Sequence, residues 1–219
     1  MAAAAALVLV ACGGGGSKEP LTLDQRVPSS QDAPEWKDDP VERPVSVSGP
    51  NEFISKLGER FINPTPQDVQ KFKSSGFLRA LHETRFFPET PSGRHTKTAP
   101  HLFSLVMQFK SEDGAKTALD ILHADSLRPC PETCAAQVQE FDPDFGDAKG
   151  TRRYATEASI KATGDKKTRP FDRYEIEFTD GVFAYRIQMS GRPGSVSQDK
   201  AVTIAKKLYE RVKGAPAAA

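Results

Sequence analysis

Three cysteines, four histidines and a group of aspartates are the residues in this chain with chemistry to offer. Cys130 and Cys134 sit within Pro129-Cys130-Pro131-Glu132-Thr133-Cys134, where the proline after the first cysteine favours a turn that brings the two Cα atoms into bridging range. A structural disulfide is the expected product in an oxidising compartment. For so short a loop it contributes only about 2 kcal/mol, which pins a turn rather than holding a fold. Zinc would need two further ligands at metal-like spacing, and His82, His95, His101 and His123 are scattered without it. Haem attachment needs Cys-x-x-Cys-His and a redox pair is usually Cys-x-x-Cys, neither of which is this spacing. Asp142, Asp144 and Asp147 beside Gly146 have the composition of a calcium loop but lack the ligand spacing and terminal glutamate, so a polar turn is expected. His95 and His101 flank a proline-rich connection as solvated loop histidines. Lys161 to Arg169 is a small basic loop, a solvated tip with an anion-binding site as the alternative. No Gly-x-Ser-x-Gly elbow, His-Glu-x-x-His, phosphate-binding loop or dinucleotide fingerprint occurs, and no cofactor or metal is implied.

Cys12 stands in a different setting. Met1 is followed by an unbroken run of Ala, Leu and Val, about the length of a signal-peptide core and short of a membrane span. The run ends in Leu9-Val10-Ala11-Cys12, and an aliphatic pair, a small residue and cysteine resembles the lipobox of bacterial lipoproteins. The resemblance implies lipid, such as palmitate, on the Cys12 thiol, removal of residues 1–11 as a signal peptide, and a mature protein held on the extracytoplasmic face of the cell membrane. One departure is the absence of Lys or Arg before the apolar run. Two or more acyl chains, at roughly 0.8 kcal/mol per buried CH2, hold a protein at a bilayer essentially permanently. Lipidation of Cys12 also resolves the odd cysteine count into one pair.

Lys plus Arg total 30 against 29 Asp plus Glu, a formal charge of +1. No field of one sign is available to recruit nucleic acid, which is disfavoured as a partner. Gly13 to Ser17 is a flexible run, and Lys18 to Pro50 is rich in Pro, Ser, Asp and Glu with little apolar periodicity. Residues 12–50 therefore read as a lipidated cysteine and linker, whose last 38 or so residues reach about 35 Å as a coil. Leu21 to Leu23 and the lone Trp36 are the exceptions, expected to dock back on the domain, with a partner-binding Trp as the alternative. Residues 51–214, about 165 in all, suffice for one compact domain, and 215–219 read as a frayed tail.

The elements that must position any site follow from periodicity. Asn51 caps a short helix with Phe53, Ile54, Leu57 and Phe61 on one face. Thr65-Pro66-Gln67-Asp68 starts another, with Gly76 as its stop. Phe77 to Phe87 fits neither period cleanly, which leaves a strand, a helix extension or one of each open, and it leans to strand because Pro88 and Pro91 close it. Phe103, Leu105, Met107 and Phe109 alternate as the inner face of a strand, and Ser111 starts a helix presenting Ala115, Ala118, Leu119 and Leu122. Val138 to Phe141 and Thr151 to Ile160 are weaker strands. Phe171 to Met189 is a hairpin about Asp180-Gly181; with those two residues as the loop, Phe178 faces Phe183, Ile176 faces Tyr185, Tyr174 faces Ile187, and Glu175 faces Arg186. Ser197 announces a last helix carrying Ala201, Ile204, Ala205, Leu208 and Val212 inward, ended by Gly214.

Ser111, Asp113, Ala115, Ala118, Leu119 and Leu122 match Ser197, Asp199, Ala201, Ile204, Ala205 and Leu208 at one constant offset. A duplicated strand-strand-helix unit explains this, and so do capping and helix periodicity alone. The expected fold is α+β, an antiparallel sheet packed with helices as a two- or three-layer sandwich. That layout over Thr65 to Val212, with the lipobox, resembles the small exported lipoproteins of high-GC Gram-positive, actinobacterial type, some with folds similar to the PsbP/Mog1 class. The resemblance implies location more than activity. Three functions fit: a noncatalytic envelope module binding a protein, a cell-wall component or a small apolar ligand; an envelope hydrolase with a site assembled from distant residues; and an assembly partner of a membrane complex.

Overall fold

The structure, a computed structural model, describes residues 18–58, 65–88, 99–128, 135–164 and 168–218. The leader, Cys12, Phe61, His95, Cys130 and Cys134 lie outside them. Two long hairpins form its centre: β3 (Phe77–Phe86) with β4 (His101–Phe109), and β7 (Phe171–Asp180) with β8 (Phe183–Gly191). They join antiparallel through β4 and β8. Short β1 (Lys37–Asp38) and β2 (Val45–Ser48) both pair with β3, while β6 (Lys149–Ala155) and β5 (Gln137–Phe141) extend the other side. The result is an eight-stranded antiparallel sheet in the order β1-β3-β4-β8-β7-β6-β5, with β2 beside β3.

Helices cover both faces, so the fold is a three-layer α+β sandwich. On the first face, α5 (Gln198–Val212) brings Ala201, Ile204, Ala205, Leu208 and Val212 against Leu102, Val106, Ile176, Phe178, Tyr185 and Ile187. On the second, α1 (Pro50–Phe53, continuing as a π-helical turn Ile54–Gly58), α2 (Pro66–Ser74) and α3 (Glu112–Ser126) pack Phe53, Leu57, Phe72, Ala115, Ala118 and Leu122 against Leu105, Met107 and Phe109. β4 is thus apolar on both sides, with Leu102 and Val106 as buried as the expected inner face. A strand covered on both faces loses the polar alternation of a surface strand.

The caps behave as their chemistry requires. Thr65 accepts from Asp68 N while the Asp68 carboxylate accepts from Thr65 N, a full capping box, and Ser111 and Ser197 each accept from the third residue on. The first helix instead starts at Pro50 behind Gly49, one residue before the expected Asn51 cap. Thr151 to Ile160 splits into the end of β6 and a short α4 (Glu157–Thr163), because Thr156 and Ser159 make a second capping box.

The β7–β8 loop is Gly181–Val182, not Asp180–Gly181. Asp180 stays in the ladder opposite Phe183, held by the hydrogen bond from Gly214 N to its carboxylate (2.9 Å), and Gly181 alone takes a positive φ, 56°. Positive φ at the first loop residue only is the type II′ pattern. Pairing therefore shifts by two residues, to Phe178–Tyr185, Ile176–Ile187 and Glu177–Arg186. A shift of two keeps every side chain on its expected face.

The segment read as a linker is packed on the domain from Lys18 onward. Trp36 docks as expected, 7% exposed beside Val27 and Ala33 and edge-on to Phe87 (5.7 Å). The rest is fixed by single polar residues, which periodicity does not register. Arg26 is fully buried, stacks over Phe183 (3.7 Å), and donates to Tyr185 Oη (2.9 Å) and to the carbonyls of Ala215 and Pro216. Arg211 of α5 grips Asp32 (2.7 Å) and the Val27 carbonyl (2.7 Å). The tail, expected to fray, is held by the same contacts, with Leu21 bridging to Ala217.

The two strand-strand-helix units have the matching elements but not matching placement. A two-fold normal to the sheet would exchange the antiparallel hairpins and leave both helices on one face; α3 and α5 lie on opposite faces. The repeat is one of pattern rather than of architecture.

Candidate functional site

Three places collect polar chemistry. The first lies under α3. Glu175 and Glu177 on β7 and Arg186 on β8 point to the second face, where Arg186 Nε meets Glu177 (3.2 Å) and its Nη2 donates to Ser126 Oγ (2.9 Å) and to the Leu122 carbonyl (2.6 Å). Ser126 Oγ lies 2.6 Å from Glu175 and 2.7 Å from Glu177. His123 spans Glu177 (3.4 Å) and Glu140 (3.0 Å). Burial alone would push the Glu175 carboxyl up, but Arg186, Arg173, Arg153 and the Ser126 hydrogen bond outweigh it and hold it below the ordinary value. Hydrogen bonding to Glu177 raises the His123 imidazole against the opposing effect of burial. A serine, a histidine and a glutamate meet here, yet Ser126 is 3% exposed and engaged on every side. The cluster holds the helix to the sheet.

The second place is a cleft of about 300 Å³ between the N-terminal segment and α5, floored by Trp36 and Ile204 and rimmed by Asp32, Glu35, Asp199, Lys200 and Lys207. Ser197-Gln198-Asp199-Lys200 at its edge has the Ser-x-x-Lys spacing of a serine nucleophile beside a lysine. Its hydroxyl caps α5 through Lys200 N (3.3 Å) and the Lys200 ammonium sits 5.4 Å over the Phe87 ring.

The third is a cleft of about 580 Å³ where β7 starts and β8 ends, lined by His101, Arg169, Phe171, Arg173, Ser190 and Arg192 with Pro170, Gly191 and Pro193. The sheet builds it. Register sets His101, Ser190 and Arg173 in one row across β4, β8 and β7, and Pro170 and Pro193, which cannot donate to a ladder, end the hairpin and release Arg169 and Arg192. Among the described residues the lining contains three guanidinium groups and no carboxylate. Arg173 reaches Glu175 at 3.7 Å, while its Nε is buried with no hydrogen-bond partner. Among the described residues no carboxylate lies within ion-pair distance of Arg169 or Arg192. Arg153, the next cation along the row, is turned away to the carbonyls of Ser126 (3.0 Å) and Arg128 (2.9 Å) at the end of α3.

Of the residues singled out in the sequence, His101 and Arg169 are brought together in this cleft. His101 lies 3.7 Å from Asp39. Asp142, Asp144 and Asp147 form a polar turn: Asp142 accepts from Asp144 N (2.8 Å) and Asp147 from Thr179 N (2.8 Å). Arg173 and Arg192 were missed. Their signal is two Arg-Pro dipeptides, 169–170 and 192–193, whose prolines stand equally far from the Gly181–Val182 loop and which flank the open end of the hairpin.

Among protein-family models and curated proteins, nothing matches this chain. Among solved structures, the extracellular domain of PknH from Mycobacterium tuberculosis is similar over 90% of this chain and 98% of that one, with a TM-score of 0.53 and 11% identity. The likeness is one of fold.

Proposed function

We propose that this chain is a noncatalytic, extracytoplasmic binding module of the cell envelope, tethered to the membrane by lipid on Cys12, with the arginine cleft as its binding surface. The observation that carries the reading is the backbone likeness to an extracellular domain along nearly the whole of that domain, joined to Leu9-Val10-Ala11-Cys12 and its apolar leader. No helix among the described residues is long and apolar enough to cross a membrane. Because Lys18 is already bound to the Glu210 carbonyl (3.1 Å) at the end of α5, the tether shrinks to Gly13–Ser17, at most about 20 Å from Cys12 to Lys18. That end of the molecule carries the β7–β8 loop and the C-terminal tail. The arginine cleft lies at the other end of β8, about 27 Å away, and would face outward from the bilayer. The Cys130–Cys134 bridge belongs to the same proposal, since it requires an oxidising compartment.

Metabolic labelling with a clickable fatty acid tests the anchor. The full chain incorporates label and fractionates with membranes, and Cys12→Ala abolishes both; equal labelling of the two removes the anchor from the proposal.

A further inference from the structure

We propose that the arginine cleft binds a phosphate ester, which rests on the reading of that cleft as the binding surface. Three arginines line about 580 Å³, with no carboxylate in the lining among the described residues. Guanidinium is planar, permanently charged and forked, matched to two oxygens of one oxyanion. A single carboxylate would leave most of that charge unanswered, whereas a phosphate monoester carries up to two charges and three free oxygens to distribute among three forks. Arg173 stands on β7 itself, between the two rims. Its Nε is buried without a hydrogen-bond partner, while its side chain as a whole is 39% exposed and so open to an oxyanion in the cleft. Arg169 and Arg192, exposed on the rims, would close from either side. Ser190 adds a hydroxyl between His101 and Arg173 in the row across the sheet, and the Phe171 ring, 5.9 Å from the Arg173 guanidinium, offers an apolar wall for the organic part of the ester. The near-neutral charge of the whole chain, +1, makes this concentration of cations a local feature rather than a share of a basic surface.

The shared chemistry has two sources outside a membrane, a small soluble ester and a lipid headgroup, and the test separates them. The full chain carrying Cys12→Ala, so that no acyl group inserts in the vesicles, is titrated with glycerol 3-phosphate by calorimetry at about 50 mM and about 500 mM NaCl, and is mixed with phosphatidylglycerol vesicles for flotation. Arg173→Ala and the double variant Arg169→Ala/Arg192→Ala are compared, the second touching only exposed side chains and so preserving the fold if the first does not; thermal melting reports folding of both. Saturable, salt-sensitive binding of glycerol 3-phosphate, weakened about tenfold or more in either variant, supports the proposal and assigns a soluble ligand. Flotation alone, lost in either variant, supports it and assigns a headgroup. Absence of both, or binding undiminished in the folded double variant, overturns the ligand class. Those results leave the Cys12 labelling outcome untouched, so failure of the ligand and failure of the anchored module are told apart.

Discussion

On one face of the β7–β8 hairpin, Tyr174, Ile176, Phe178, Tyr185, Ile187 and Met189 pack against α5; on the other, Glu175, Glu177, Arg186 and Gln188 lie beneath α3, all of them at most 8% exposed. One pair of strands thus satisfies burial by two means. The apolar face gains stability from every Å² removed from water, in any register that keeps the pattern. The polar face gains little net energy, because desolvation offsets the attraction of its charges. It does demand one arrangement: Arg186 must reach Ser126, Glu177 and the Leu122 carbonyl together. The apolar side keeps the hairpin buried, and the polar side dictates where α3 sits.

The largest expected effects come from breaking each side by one residue. Phe178→Ala leaves a cavity among Phe145, Tyr185 and Tyr209 and is expected to cost about 3–5 kcal/mol. Arg186→Ala strands Glu175 and Glu177 and is expected to cost about as much, roughly 3–5 kcal/mol. The two losses should then part company on compensation. Replacing Glu175, Glu177 and Arg186 together with Leu, Leu and Met should recover most of the Arg186→Ala loss, as apolar groups dispense with the charges. Urea denaturation of the three proteins decides it. A triple variant as unstable as Arg186→Ala would mean that the polar side contributes net stability after all.

Arg26 tests the same contrast on a smaller scale, as a buried cation on the otherwise apolar face. Its loss orphans the carbonyls of Ala215 and Pro216 and the Tyr185 hydroxyl. Arg26→Ala is expected to cost about 2–3 kcal/mol and to expose the segment around Leu21 and the tail to proteolysis before the sheet opens. Uniform loss of protection across the chain would show instead that segment and sheet unfold as one.

That contrast also explains what was legible in the sequence. Apolar alternation and caps gave the β7–β8 hairpin, strand β4, the helices after Ser111 and Ser197, and the correct face for every residue from Tyr174 to Ile187. Periodicity is a property of many residues at once and survives local error, as the hairpin shows: its loop moved by one residue and no side chain changed face. The N-terminal segment was misread because its attachment depends on Arg26 and Asp32, single polar residues whose partners Ala215 and Arg211 lie far along the chain. The cleft was half legible. His101 and Arg169 stood out as loop residues, but only pairing of β4 with β8 and of β7 with β8 places them beside Arg173 and Arg192. The charged cluster under α3 was equally hidden, since the sequence offered Glu175 as the partner of Arg186 where the register supplies Glu177.

The smallest predicted effect sharpens the comparison through pH, because the apolar face carries no group that titrates near neutrality while the polar face carries His123. Its imidazole is raised above the ordinary 6.5, first by the hydrogen bond to Glu177, with Glu140 adding to it and burial and Lys149 opposing. A raised folded value means that the proton is held more tightly in the folded protein, so the stabilisation is complete below 6.5 and fades as pH climbs through the folded value. Glu175, lowered from 4.5, runs the other way: its contribution is complete above 4.5 and is lost as pH falls through its folded value. The cluster therefore supports the fold best between those two ordinary values, in mildly acid solution. His123→Gln should lose about 0.5–1 kcal/mol near pH 5.5 relative to the parent and converge with it in alkaline solution, once the imidazole is neutral in the folded protein as well. Denaturation midpoints at a series of pH values give the difference directly, and two parallel profiles would mean that the proton on His123 plays no part in docking α3.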